Sequence, residues 1–101
     1  MTWSSGLVER LSRGETVSFR PHGNSMTPII KSGQLVTVEP VLDPSVVTVG
    51  EAVLCKVRGR IMLHKVTAIR GGQVQISNNH GHVNGWTKVE NVFGRLIKVE
   101  P

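Results

Sequence analysis

Apolar residues in this chain follow a helical spacing only near its start. Leu7 and Leu11 recur four residues apart, and positions with that spacing share one face of a helix. Ser4 or Ser5 lies at the start of this stretch and can cap the first turn through its hydroxyl. The pattern predicts one short amphipathic helix over about residues 3–13.

Beyond the helix, apolar and polar residues alternate in short runs, which glycine and proline interrupt. Such period-two runs are typical of β-strands. The predicted strands cover residues 16–20, 34–39, 52–57, 61–69, 73–77 and 89–99. We therefore predict a mainly β fold, a twisted and partly closed barrel-like sheet over about residues 16–99, preceded by the one helix.

Turn-forming residues separate the predicted strands. Tight turns at residues 58–60 and 71–72 predict two hairpins, because an Arg-Gly-Arg run and a glycine pair lie between alternating runs. Residues 41–49 and 78–85 are rich in such residues and are interpreted as loops. Gly94 predicts a bulge within the last strand.

Length and composition indicate a single folded domain. The chain has 101 residues, of which 39% are hydrophobic and 19% charged. This balance excludes wholesale disorder, and the length suits one modest core but not two. We therefore treat residues 1–101 as one domain.

The sequence shows neither a membrane-spanning segment nor a secretory signal. No apolar run approaches the roughly 20 residues that a membrane-spanning helix needs, and the start of the chain lacks a charged segment followed by an apolar one. The single cysteine, Cys55, cannot form an internal disulfide, which fits a reducing compartment. It lies within a predicted strand and is interpreted as a core residue. We expect a cytoplasmic protein.

The chain is basic, with a formal net charge of +5. Such a balance favours acidic partners, including nucleic acid. The basic residues are spread over many segments, however, and the chain has only two phenylalanines and two tryptophans. We therefore interpret the excess charge as a solvated face, with nucleic acid as an alternative partner.

The run Gly-Asn-Ser-Met-Thr-Pro at residues 23–28 places a serine on a tight turn after a predicted strand. Gly23 allows the sharp bend, and such an elbow presents the Ser25 hydroxyl outward. Backbone N–H groups around Gly23, Asn24 and Ser25 can receive an oxyanion. The pattern suggests a nucleophile, although a serine that caps a turn is the simpler alternative.

A serine nucleophile needs a base, and His64 is the candidate within a predicted strand. Strand alternation puts His64 and Lys65 on opposite faces, so only one of them can point toward Ser25. His80 and His82 form a His-Gly-His run, but no third ligand with matching spacing accompanies them. We expect a polar loop there, with neither a metal site nor a cofactor.

Several boxes together resemble the signal-peptidase and LexA-type serine peptidases. The family's serine box, G-x-S-M-x-P followed by G-D-x-V-x-V, resembles residues 23–28 and 33–38. Its second G-D-x-V strand resembles residues 50–53, its base box resembles the Leu-His-Lys-Val run at 63–66, and its closing strand resembles residues 92–97. The boxes occur in order and span residues 16–98.

The resemblance implies a serine endopeptidase fold, with Ser25 as nucleophile and His64 as base in the Ser-His version of the dyad. A peptide or protein substrate would then bind as an extended strand, and strand edges could pair two copies into a homodimer. Histidine-type members usually carry an aspartate that orients the imidazole. Here the corresponding loop has none, which leaves Ser77 or Asn78 as weak substitutes. The alternative is a catalytically impaired protein-binding module of the same fold, such as a truncated phage-type repressor or accessory domain.

Overall fold

The computed structural model describes residues 4–101, which form one α-helix and seven strands in a single antiparallel sheet. The elements are α1 Ser5–Ser12, β1 Val17–Phe19, β2 Leu35–Pro40, β3 Ala52–Val57, β4 Arg60–Arg70, β5 Gln73–Ser77, β6 Val83–Lys88 and β7 Val92–Glu100. The strand order is β1-β2-β7-β3-β4-β5-β6, so β1 and β6 are the edges and the sheet remains open. The predicted mainly β fold with one short helix is confirmed.

The helix is shorter than predicted and begins at Ser5, with Ser4 in the N-cap position. The part of the prediction that falls on residue 3 lies outside the described residues. Over residues 4–101, no helix is long and apolar enough to cross a membrane.

Strand β6 is the element that the sequence pattern did not predict. Residues 78–85 were expected to form a loop, but Val83–Lys88 pairs with β5 along its length. Asn84 and Gly85 have turn-like preferences, and Gly85 adopts a φ of 139°. Hydrogen bonding to β5 outweighs these local preferences, since strand propensity depends strongly on context.

Both predicted hairpins are present, and their turn residues explain them. Arg58 and Gly59 have φ values of 50° and 79°, and Gly71 and Gly72 have 54° and 77°. Two consecutive positive φ values define the turn that matches the right-handed twist of paired strands. The two turns bring β3, β4 and β5 side by side.

Buried apolar side chains form two clusters, one on each face of the central strand β3. The first comprises Leu11, Val17, Met26, Ile30, Val36, Val38, Ala52, Leu54 and Leu63. The second comprises Val47, Val53, Cys55, Val57, Val66, Val74, Ile76 and Val92. Successive residues of β3 alternate between the clusters, because side chains along a strand point to opposite faces. Burial raises the pKa of the Cys55 thiol to about 12, as expected for an inert core cysteine.

Candidate active site

Ser25 lies on a turn, the serine elbow (residues 23–28), which is anchored by the side chains that follow it. Gly23 has a φ of 117°, in the region that glycine adopts readily. Met26 and Ile30 are each only 4% exposed and pack into the first core cluster. The Ile30 N–H donates to the Met26 carbonyl at 3.0 Å, which closes a helical turn. The anchoring leaves Ser25 itself exposed at the surface.

His64 reaches Ser25 from strand β4. Its Nε2 lies 3.0 Å from the Ser25 Oγ, within hydrogen-bond distance. The β4 backbone is held on both sides, by β3 through the pairing of His64 with Val53 and by β5. The imidazole therefore projects from a rigid central strand toward a residue 39 positions away in sequence.

The other ring nitrogen of His64 is bound by Asn84, a residue of β6. The distance from His64 Nδ1 to Asn84 Oδ1 is 2.7 Å. An amide oxygen only accepts hydrogen bonds, so Nδ1 carries the proton and donates it. In the neutral ring Nε2 is then bare and can accept from the Ser25 hydroxyl. Asn84 therefore fixes the tautomer that a general base requires.

The expected substitutes for an orienting aspartate lie elsewhere, which corrects that prediction. The Ser77 hydroxyl is 2.9 Å from the Thr67 Oγ1. Asn78 Oδ1 accepts the backbone N–H groups of His80 and His82, which shapes its own loop. Asn84 was missed because an asparagine before a glycine signals a turn. In the sequence it lies near the end of segment 78–85, which was interpreted as a loop.

Asn79, in the loop after β5, fixes the serine elbow from the side. Its backbone N–H donates to the Ser25 carbonyl at 2.8 Å, and its Nδ2 donates to the Thr27 carbonyl at 3.0 Å. Lys65 Nζ donates to the Asn79 Oδ1 at 3.2 Å, which orients the amide. Lys65 follows His64 in β4 and lies on the opposite face of the strand. It nevertheless supports the same serine elbow through its hydrogen bond to Asn79.

His80 contacts the elbow as well. Its Nε2 lies 2.9 Å from the Asn24 carbonyl oxygen and 2.9 Å from the Thr27 Oγ1. A carbonyl oxygen only accepts, so the Nε2–H of His80 is the donor. Within residues 4–101, no three His, Cys, Asp or Glu side chains gather closely enough to hold a metal ion. The His-Gly-His run thus supplies a contact to the serine elbow through His80.

A small cavity opens beside the Ser25 hydroxyl. It measures about 30 Å³. Its lining residues are Pro21, His22, Gly23, Ser25, Met26, Ile30 and Leu63. A larger hollow of about 350 Å³ shares Pro21 and His22 with it and extends toward Leu7, Phe19 and Arg20. The nucleophile candidate therefore lies at the mouth of a narrow, mostly apolar pocket.

The backbone donors near Ser25 are not equivalent. The Gly23 N–H donates to the Ser32 Oγ at 3.1 Å, so it is already engaged. Three residues were singled out from the sequence as oxyanion donors. Of these, Asn24 and Ser25 are left as the residues whose N–H groups can bind an oxyanion.

Comparison with known families gives one match that covers most of the chain. The model of the Peptidase S24-like family matches residues 1–91. Curated proteins give no match. The matched range includes the serine box and the base box, and it agrees with the resemblance drawn from them.

Proposed function

The chain belongs to the Peptidase S24-like family, and we propose that it is a serine endopeptidase that uses Ser25 and His64. The observation that carries this proposal is the 3.0 Å distance between the Ser25 Oγ and the His64 Nε2. A nucleophile within hydrogen-bond reach of a base, which a third group orients, is the arrangement that acyl transfer requires. Asn84 takes the place of the third group.

The proposed reaction follows from the positions of the hydrogens. His64 Nε2 takes the proton of the Ser25 hydroxyl as the oxygen attacks the carbonyl carbon of the scissile peptide bond. The Ser25 N–H stabilises the resulting oxyanion. The imidazolium then donates its proton to the leaving amine, which leaves Ser25 as an acyl ester. Water next attacks this ester while His64 Nε2 takes its proton, and His64 finally returns that proton to the Ser25 oxygen.

The cavity beside Ser25 suggests how a substrate would lie. At about 30 Å³ the cavity has room for a small side chain only, so we propose a small residue immediately before the scissile bond. The peptide would run extended along the free edge of β1, the strand that leads into the elbow. Such an arrangement adds a strand to the sheet through backbone hydrogen bonds.

The experiment that tests this proposal is covalent labelling by a fluorophosphonate probe, followed by intact-mass measurement. The wild-type protein should gain one probe adduct on Ser25. The Ser25→Ala variant should gain none, and His64→Ala should react at least about 100-fold more slowly, since a positioned base contributes that much. Ser45→Ala, which removes an exposed serine far from the site, serves as the matched control. Equal labelling of the wild type and Ser25→Ala would overturn the proposal.

One observation favours a second candidate, a protein-binding module that keeps the fold with impaired catalysis. Asn84 holds the tautomer of His64 but carries no charge to stabilise the imidazolium. In a serine protease with a full triad, replacing the aspartate by asparagine lowers turnover about 10⁴-fold, in that case because the histidine takes the wrong tautomer. Here Asn84 holds the productive tautomer, so we expect the smaller loss that comes from the missing charge alone. A correctly folded protein that never labels at Ser25, yet binds a protein segment, would support this second function.

A further inference from the structure

The acidic residues of this chain are strongly segregated along the sequence, whereas the basic residues are not. Between Glu51 and Glu90 there is no carboxylate at all. The same segment contains six cations, Lys56, Arg58, Arg60, Lys65, Arg70 and Lys88. The rest of the chain holds the other six cations together with all seven carboxylates. The whole excess of positive charge therefore belongs to strands β3 to β6.

Five of these cations lie at the ends of β3, β4 and β6 or in the turn between β3 and β4, and we call this set the basic end: Lys56, Arg58, Arg60, Arg70 and Lys88. All five side chains are exposed. Gln73 pairs with Arg70 on one side and with Lys88 on the other, so these two cations flank one position of β5.

The first hairpin joins this region through strand β6. The Thr87 Oγ1 donates to the Lys56 carbonyl at 2.8 Å, which places the end of β3 against β6. The Arg58 guanidinium lies over Gly85, where an added Cβ would be only 3.2 Å from its Nε. Lys56 and Arg58 therefore lie against β6, the strand that ends at Lys88, 32 residues after Lys56.

No carboxylate neutralises the basic end within the described chain. The ion pairs over residues 4–101 join Arg10, Arg13, Arg95 and Lys98 to carboxylates of the other half. An array of exposed cations without counter-charges produces a positive potential that attracts polyanions.

An aromatic side chain accompanies these cations. Trp86 is 40% exposed, and with Arg70 and Gln73 it lines an open hollow of about 310 Å³. An indole face stacks on nucleic-acid bases, a guanidinium contacts phosphate, and a side-chain amide can bond base edges. The three neighbouring groups are those that recognise a nucleotide with its phosphate.

We propose that the basic end binds single-stranded nucleic acid, with phosphates on the cations and a base stacked on Trp86. A protein partner fits less well, because the buried centres of protein interfaces are depleted in charged residues, whereas this surface has five exposed cations. This binding site is separate from the pocket at Ser25 and does not depend on peptidase activity.

The test is fluorescence anisotropy with a labelled oligothymidylate of about 20 nucleotides, titrated at several salt concentrations. Single-strand binding should weaken with salt by a slope of about −0.7 per phosphate neutralised, in a plot of log K against log salt. The triple variant R58Q/R60Q/R70Q should lower this slope by about two. The matched variant R10Q/K31Q/K98Q removes the same charge from the other half and should leave the slope unchanged.

Stacking is tested separately by Trp86→Leu. Loss of one stacked base should weaken binding about tenfold or more without changing the salt slope. Circular dichroism confirms that each variant is folded. The proposal is overturned if the wild type fails to bind at about 20 mM salt, if both triple variants lose affinity equally, or if polyglutamate or anionic vesicles bind with equal affinity.

Discussion

Asn84, which accepts a hydrogen bond from His64, differs from the aspartate of a full triad by an amino group in place of one carboxylate oxygen. Asn84 Oδ1 accepts the Nδ1–H at 2.7 Å and so keeps the proton on the correct nitrogen. An uncharged amide cannot stabilise the imidazolium that the proposed reaction would form at His64. We infer that the site has its geometry in place but lacks one charge.

Asn84→Asp should therefore raise the rate of Ser25 acylation. Charge-assisted hydrogen bonds are roughly twice as strong as neutral ones, and the difference of about 1.4 kcal/mol corresponds to about a tenfold increase in rate. The measurement is the rate constant for fluorophosphonate labelling at neutral pH.

Gln73→Glu is the matched control for this substitution, since it adds a negative charge at an exposed position on β5. It should leave the labelling rate unchanged. An unchanged rate in Asn84→Asp, or an equal increase in both variants, would contradict a positioning role of Asn84 toward His64. A slower rate would contradict the expected gain from a charged partner.

At the scale of elements, the loop between β5 and β6 determines where the serine elbow lies. Asn79 donates to the carbonyls of Ser25 and Thr27, while Lys65 of β4 fixes its amide. The elbow and the base are therefore both tied to strand β4, one through Asn79 and the other directly. This shared support keeps the Ser25 hydroxyl within reach of the imidazole.

Asn79→Ala should slow acylation of Ser25 about tenfold while the protein stays folded. The substitution removes the two side-chain hydrogen bonds, each worth about 1 kcal/mol in net terms, and frees the elbow to move. The labelling rate and the urea unfolding midpoint measure the two effects.

Asn91→Ala provides the comparison, because it removes a side-chain hydrogen bond to Thr87 away from the site. It should lower stability without slowing labelling. If the two variants lowered the labelling rate equally, Asn79 would act only through general stability.

At the scale of the whole molecule, Gly94 lies where α1, β2 and β7 pack most closely. Leu54 of β3 pairs with Gly94 of β7, and the next residue, Cys55, pairs with Val92. Phe93 therefore has no pairing partner in β3, which is the register shift of a bulge. The bulge predicted at this glycine is thus confirmed. An added Cβ would lie 2.5 Å from the Val38 Cγ1 and 2.8 Å from the Glu39 carbonyl oxygen.

Gly94→Ala should lower the free energy of unfolding by about 1–3 kcal/mol, the usual cost of overpacking. Guanidinium unfolding followed by circular dichroism measures it. Gly6→Ala is the control, because nothing lies within 4 Å of a Cβ there and alanine favours a helix. That variant should be as stable as the wild type or slightly more so. A Gly94→Ala protein of unchanged stability would contradict the packing.

Much of the fold was predictable because it is encoded by local patterns. Strands 52–57 and 73–77 match β3 and β5 residue for residue, since their alternation and flanking turns are unambiguous. Strand β6 was not predictable, because its pairing with β5 overrides the turn preferences of Asn84 and Gly85. The same error concealed the partner of His64.

By itself the sequence determined the class of fold, the hairpins, the serine on its elbow and the family, since each depends on residues close together in the chain. Only the tertiary structure decided that His64 reaches Ser25, that Asn84 replaces the missing aspartate, and that Asn79 holds the elbow. It also placed Lys56 and Arg58 against the distant strand β6. These features depend on the register and curvature of the sheet, which bring together residues that are far apart in sequence.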